Sequence, residues 1–165
     1  MANYVRCRLT MNGIGSKTEL YRAGDDGRVQ LDFNALIPMP KELNMEAGST
    51  ETDAIAAVIR ECSDKDYLGR SYYMGQNIDA REERLNATAK RLGGMQNLLE
   101  LGLKYISNIV HYGFSTWYGW RIAKWGTKWN AAETHIVNRD TVEFWTAWSM
   151  PEPIFAELSK PLPGR

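Results

Sequence analysis

Alternation of apolar and polar residues marks both ends of this chain and fades in the middle, so a sheet has to be assembled from segments far apart in sequence. The opening Tyr4-Val-Arg-Cys-Arg-Leu-Thr-Met11 puts Val5, Cys7, Leu9 and Met11 on one side, which predicts a half-buried strand. Asn12-Gly-Ile-Gly-Ser16 supplies turn chemistry. Its lone G-x-G lacks the third glycine and the following long helix of a dinucleotide fingerprint. After a second turn at Asp25-Asp-Gly27, Val29, Leu31, Phe33, Ala35 and Ile37 alternate as a second strand. Pro38 and Pro40 end it, because neither can donate to a ladder. Towards the other end, Lys128 to Val137 reads as a strand and Asn138-Arg-Asp140 as a hairpin connection. Val142, Phe144, Thr146 and Trp148 alternate on the partner strand.

Between these ends the period changes to that of a helix. Thr52 or Asp53 is placed to cap a helix in which Ile55, Val58, Ile59 and Cys62 share a face. Residues 63–79 have weak periodicity. A further helical region begins near Ala80, breaks at Gly93-Gly94, and resumes with Met95, Leu98, Leu99, Leu103, Ile106, Ile109 and Val110 as a core stripe. The simplest account is one domain over residues 1–165 with a helical insertion over 45–112. Ser149-Met-Pro-Glu152 matches a capping box for a last short helix whose apolar face is Ile154, Phe155 and Leu158. Pro161 stops that helix.

The composition limits the functional classes. The apolar fraction of 44% includes six Trp, enough large side chains to build a core without metal or disulfide. No apolar run approaches the roughly 18 residues that span a bilayer, and the N-terminus lacks a secretory apolar region, so a cytoplasmic address is expected. Cys7 and Cys62 have no second cysteine at ligand spacing and read as reduced packing thiols. Twenty basic and twenty acidic residues cancel, which argues against a polyanion binder driven by net charge alone. Their distribution is uneven. Acids crowd residues 42–66 (Glu42, Glu46, Glu51, Asp53, Glu61, Asp64, Asp66), whereas residues 101–132 carry Lys104, Arg121, Lys124 and Lys128 and no acid.

Three stretches carry a resemblance: Leu31-Asp-Phe-Asn-Ala-Leu-Ile-Pro-Met-Pro-Lys-Glu-Leu43, Trp125-Gly-Thr-Lys-Trp-Asn-Ala131, and Phe144-Trp-Thr-Ala-Trp-Ser-Met-Pro-Glu-Pro153. With the N-terminal strand, they resemble the YubB ferredoxin-like family, plasmid and phage proteins mostly of unknown function. The resemblance implies an α+β fold, a ferredoxin-like antiparallel sheet, in a bacterial host, and it brings no catalytic residues. Relatives usually continue past the last short helix into a further strand, where this sequence has Lys160-Pro-Leu-Pro-Gly-Arg165. Either the sheet lacks a strand or its edge is completed by another molecule, and the second case predicts a homo-oligomer.

For function, His111 and His135 stand alone. No H-x-x-x-H, no carboxylate–His cluster and no G-x-S-x-G appears, so no catalytic residue, metal or cofactor is expected. Asp25, Asp26 and Asp32 read as turn formers. Trp120, Arg121, Lys124, Trp125, Lys128 and Trp129 interleave flat rings with cations, the pairing that stacks a base and neutralises its phosphate. They predict a site for a nucleotide or nucleic acid in a non-catalytic protein, and the resemblance to plasmid and phage proteins implies that it modulates or counteracts host defence. In that site Arg121, Lys124 and Lys128 hold the ligand while Trp120 or Trp125 stacks. The bland reading is that Trp129 and Trp148 are core anchors and Trp125 packs over a turn, with Trp120 the ring expected to be partly exposed. The alternative function is a protein–protein inhibitor of a host nuclease or defence complex, with the acidic segment 42–66 imitating nucleic acid.

Overall fold

The alternating segments at the two ends of the chain meet in one sheet. In the computed structural model, which describes residues 3–24, 27–62 and 78–160, β1 (Tyr4–Thr10) runs antiparallel to β5 (Thr141–Ala147). Tyr4 lies opposite Ala147, Cys7 opposite Phe144 and Thr10 opposite Thr141. β4 (Ala132–Asn138) pairs antiparallel with β5, giving a three-stranded sheet in the order β1-β5-β4. A separate hairpin joins β2 (Tyr21–Ala23) to β3 (Val29–Leu31). Side chains tie it to β4: the Leu31 N–H donates to Thr134 Oγ1 at 2.9 Å, and the Thr134 N–H to Gln30 Oε1 at 3.1 Å. The fold is thus mixed α and β with antiparallel sheets.

The chain divides into two compact units, one comprising Met1–Pro40 with Tyr118–Arg165 and the other Lys41–Trp117. The first unit contains every strand named above, most of α4 (Trp117–Trp125) and all of α5 (Glu152–Leu158). Its core lies on the inner face of the sheet, where Cys7, Val142 and Phe144 are buried with Phe33, Trp125 and Ile154. The rings form a chain of edge-to-face contacts: Phe144 to Phe33 at 6.0 Å, Phe33 to Trp125 at 5.7 Å, and Trp125 to Trp120 at 5.8 Å. Each such pair contributes about 0.5–1.5 kcal/mol beyond its buried area.

Three expected boundaries move, each because a polar side chain makes a different bond. The strand predicted over Val29 to Ile37 stops at Leu31. There Asp32 accepts from the Asn34 N–H at 3.0 Å and turns Phe33–Ala35 into a 3-10 helix. The strand predicted from Lys128 begins at Ala132, after Asn130 has turned back towards residue 33; the Phe33 N–H donates to Asn130 Oδ1 at 2.8 Å. Ser149 caps nothing. Its hydroxyl donates to the Gly126 carbonyl, and α5 begins at Glu152 without a side-chain cap.

The second unit is helical: α1 (Ser49–Cys62), α2 (Ile78–Arg91) and α3 (Met95–Tyr112), around Ala54, Ala57, Ala89, Leu98 and Tyr105. Its span compares with the insertion expected over 45–112. Helices α1 and α3 approach closely at Gly102, where a methyl group would collide with the Ala54 carbonyl and come within 2.6 Å of Val58 Cγ2. Helix α1 starts before the expected cap. Asp53 instead lies buried inside the unit, accepting from Arg84 Nε at 2.6 Å and Thr88 Oγ1 at 2.9 Å. The Asp25-Asp26 turn, Asp64, Asp66 and the segment from Pro161 onward lie outside the described residues.

Candidate functional site

The Trp125–Asn130 segment is a joint between three parts of the sheet unit. The Trp125 indole N–H donates to the Ile37 carbonyl at 2.9 Å. Gly126 then turns the chain at φ 76°, where a Cβ would come within 2.8 Å of Pro153 Cδ. The Thr127 hydroxyl donates to the Ala147 carbonyl at 2.7 Å, and Asn130 Nδ2 donates to Asp32 Oδ1 at 2.7 Å. Trp125 and Thr127 are buried by these bonds, so the side chains left to face outward from the joint are Lys128 and Trp129.

The strands beside this joint carry a second set of rings and cations. Because Phe144 points into the core, its neighbours Glu143 and Trp145 point to the other face of the sheet, where Trp145 is half-buried. Opposite them on β1 stand Arg8 and Arg6, in register with Glu143 and Trp145. Arg6 donates to Glu143 Oε2 at 2.6 Å, and Arg8 lies 3.5 Å from Oε1, yet the arginine side chains remain 61% and 63% exposed. These contacts hold the Glu143 carboxyl below its usual 4.5, the Arg6 hydrogen bond first and the charges of Arg6, Arg8 and His135 after it. Tyr4, on the same side of β1, is exposed and its ring lies 6.3 Å from that of Trp129. This outer face therefore presents Tyr4, Trp129 and Trp145 beside Arg6 and Arg8.

Trp129 is shared with a third group. Lys128 Nζ lies 5.0 Å from the ring centre of Trp129, 4.9 Å from that of Trp148 and 5.6 Å from that of Tyr118. All three rings are partly open to solvent. Trp148 reaches this position from a backbone at φ 71°, a left-handed conformation that costs a bulky residue roughly 1–2 kcal/mol. Surrounding bonds enforce it: the Trp148 N–H donates to the Asn3 carbonyl at 2.7 Å and Thr146 Oγ1 to the Ser149 carbonyl at 2.7 Å.

Of the residues predicted from sequence, the structure brings Lys128 and Trp129 together at the surface and withdraws others. Trp120 and Trp125 are 6% and 0% exposed, so neither can stack a base; both belong to the ring chain of the core. Arg121 lies against Trp125, its guanidinium carbon 4.8 Å from the ring centre, and burial lowers its pKa, with Arg22 adding repulsion. Lys124 is exposed in the last turn of α4. Trp129 and Trp148, expected as core anchors, are 38% and 46% exposed. The reason is that the strand begins later than alternation suggested and Trp148 turns out of it. Tyr4, Arg6, Arg8, Tyr118, Trp145 and Trp148 were missed as site residues. The available signal was the polar side of the terminal strands, Tyr4-x-Arg6-x-Arg8 and Glu143-x-Trp145.

Several acids of the 42–66 segment have partners within the helical unit, and Glu42, Glu46 and Glu61 are exposed. Asp53 pairs with Arg84, Glu51 accepts from Ser115, Glu46 accepts from Thr50 at 3.2 Å, and Glu42 accepts from Tyr112 at 3.1 Å. His111 Nδ1 sits 2.8 Å from the Ser107 carbonyl within α3, and His135 lies on β4 opposite Glu143. Cys7 is buried, which raises its thiol pKa, but Cys62 is exposed and so is not the packing thiol expected. Among the described residues no group of three His, Cys, Asp or Glu is placed to hold a metal ion, and no helix is long and apolar enough to cross a membrane. Compared with known proteins, the chain matches no protein-family model, no curated protein and no solved structure.

Proposed function

We propose that this protein is a non-catalytic binding module that takes a single-stranded nucleic acid or a nucleotide on the outer face of the β1-β5-β4 sheet. The observation that carries the proposal is the alternation of rings and cations there: exposed Tyr4 and Trp129 and half-buried Trp145 beside Arg6 and Arg8, with Lys128 at the margin. Bases stack on the rings, contributing about 1–3 kcal/mol each, while the arginines and Lys128 meet phosphates. The core occupies the opposite face, so ligand contact asks nothing of the packing. This reading keeps the ligand class expected from sequence and moves its site from α4 to the strands.

The ferredoxin-like reading has support of its own. The sequence β1, α4, β4, β5, α5 with strand order β1-β5-β4 follows the first five elements of a β-α-β-β-α-β unit, with the hairpin and the helical unit inserted after β1. In that arrangement a further strand pairs with the free edge of β1. The sequence stretches that resemble the YubB ferredoxin-like family meet around Trp125–Asn130, which fits descent from such a plasmid or phage protein and action in a bacterial cytoplasm on host defence.

The test is fluorescence anisotropy with labelled oligo-dT, oligo-rU and mononucleotides at 50 mM salt. Binding that weakens with rising salt is expected, with a loss of about tenfold or more for Trp145→Ala and for the double variant Arg6→Ala/Arg8→Ala. Absence of binding to every probe by the folded protein overturns the proposal.

A further inference from the structure

A cation held among rings reports what its site recognises. Lys128 Nζ is within 5.6 Å of the ring centres of Tyr118, Trp129 and Trp148, and among the described residues no carboxylate forms an ion pair with it. The attraction is that of a positive charge for the negative faces of aromatic rings. We propose that the Tyr118–Trp129–Trp148 cage is a binding site for a methylated or quaternary ammonium group, and that Lys128 fills it as an internal plug when no such ligand is bound.

The chemistry favours that ligand over the plug. A primary ammonium is a compact, strongly hydrated point charge, and a site made of ring faces returns no hydrogen bonds for the water it displaces. A trimethylammonium group spreads the same charge over methyl surfaces that pack against rings, with no N–H left unsatisfied. The plug is readily expelled, because a lysine side chain released to water regains rotamer freedom. The cage is also a built feature. Trp148 is fixed in a left-handed conformation by bonds to Asn3 and around Ser149, and the Thr127 hydroxyl binds the Ala147 carbonyl, fastening the residues that carry Lys128 and Trp148 to one another. Strain maintained at a bulky, solvent-facing residue is the kind that persists where a side chain must be presented.

This site goes beyond the nucleic-acid reading and shares Trp129 and Lys128 with it. The experiment titrates the full chain with tetramethylammonium, choline and a trimethyllysine peptide against sodium chloride of matched ionic strength, followed by tryptophan fluorescence and the NMR shifts of the indole N–H groups. A saturable response is expected, tightened about tenfold in Lys128→Ala because competition by the tethered plug is removed. Trp148→Ala should lose it, and Trp148→Phe, which keeps a ring if the alanine variant fails to fold, should weaken it. Trp145→Ala should leave it unchanged, so loss of oligonucleotide binding and loss of ammonium binding are told apart. Choline binding as well as the peptide marks a free small molecule as ligand; a much tighter peptide marks a modified protein tail. No saturable response in natively folded Lys128→Ala, or one no tighter than in the parent, overturns the proposal.

Discussion

In the helical unit the polar groups face one another, with Asp53 buried against Arg84 and Thr88, and Asn108 reaching the Glu42 and Ser115 carbonyls at 2.8 and 3.0 Å. In the sheet unit several cations and rings face water, with Arg6, Arg8, Trp129 and Trp148 all exposed. A buried, bonded polar group specifies how helices pack, since leaving its partner unsatisfied costs the full desolvation penalty. An exposed tryptophan specifies nothing about packing and contributes little to stability. Rings and polar bonds hold the structure in both units, and the sheet unit adds a second, outward set, Tyr4, Arg6, Arg8, Trp129 and Trp148, that is available to a ligand.

The sharpest way to break this comparison lies inside the sheet unit, at two tryptophans four positions apart. Trp125→Ala removes a fully buried ring that touches Phe33 and Trp120 and loses the bond to the Ile37 carbonyl. A loss of about 3–5 kcal/mol is expected in urea denaturation. Trp129→Ala should change stability by no more than about 1 kcal/mol, because that ring is partly open to solvent and lies outside the core. Equal destabilisation by the two would show that the outer rings are structural and remove the ground for assigning them a ligand.

The next effect tests the helical unit. Asp53→Ala strands the Thr88 hydroxyl and uncouples Arg84 from α1, and a loss of about 1–3 kcal/mol is expected, followed by the helical signal in circular dichroism during urea unfolding. Asp53→Asn, which keeps an acceptor for Thr88, should recover part of it. A neutral Asp53→Ala would mean that the carboxylate is not structural.

The elements of the fold were legible wherever one periodicity ran without interruption. The alternation of Val5, Cys7 and Leu9 and that of Val142 and Phe144 read directly from the sequence, as did the helix over Met95–Tyr112, but not its core stripe: Leu98, Gly102, Tyr105 and Asn108 are its buried residues, and Leu103, Ile109 and Val110, expected in the core, are exposed. The strand limits were not legible, because they were decided by side-chain bonds between distant segments, Asn130 to Phe33 and Asp32 to Asn34 among them. The candidate site was half legible. Lys128 and Trp129 could be named from their composition as a pair, but a helical spacing that put Trp120 and Trp125 beside them could not say that this face of α4 points inward. Trp148 illustrates the limit most clearly. Alternation placed it in the core, and only its backbone reversal, invisible in the residue pattern, turns it to the surface.

The smallest effect concerns Glu143, a carboxylate on the face proposed for the ligand. Glu143 occupies Arg6 and Arg8, so a phosphate approaching the sheet must compete with it. Its pKa in the folded protein lies below the ordinary 4.5, held down first by the Arg6 hydrogen bond. The pair's contribution to stability is therefore complete above 4.5 and is lost as the pH falls through the lower, folded value. Ligand binding should follow the opposite course, with affinity rising over that same acidic window as protonation of Glu143 releases the arginines. Glu143→Gln should reproduce the gain at neutral pH, by about two- to fivefold for an exposed charge pair, and should flatten the pH dependence there. Nucleotide phosphates of a single-stranded probe are themselves still ionised in that range, so the protein group governs the slope. If Glu143→Gln instead weakens binding, the carboxylate orients the arginines for the ligand rather than competing with it. The rings and cations of the outer face would then form one preset arrangement, as rigidly specified as the polar groups within the helical unit.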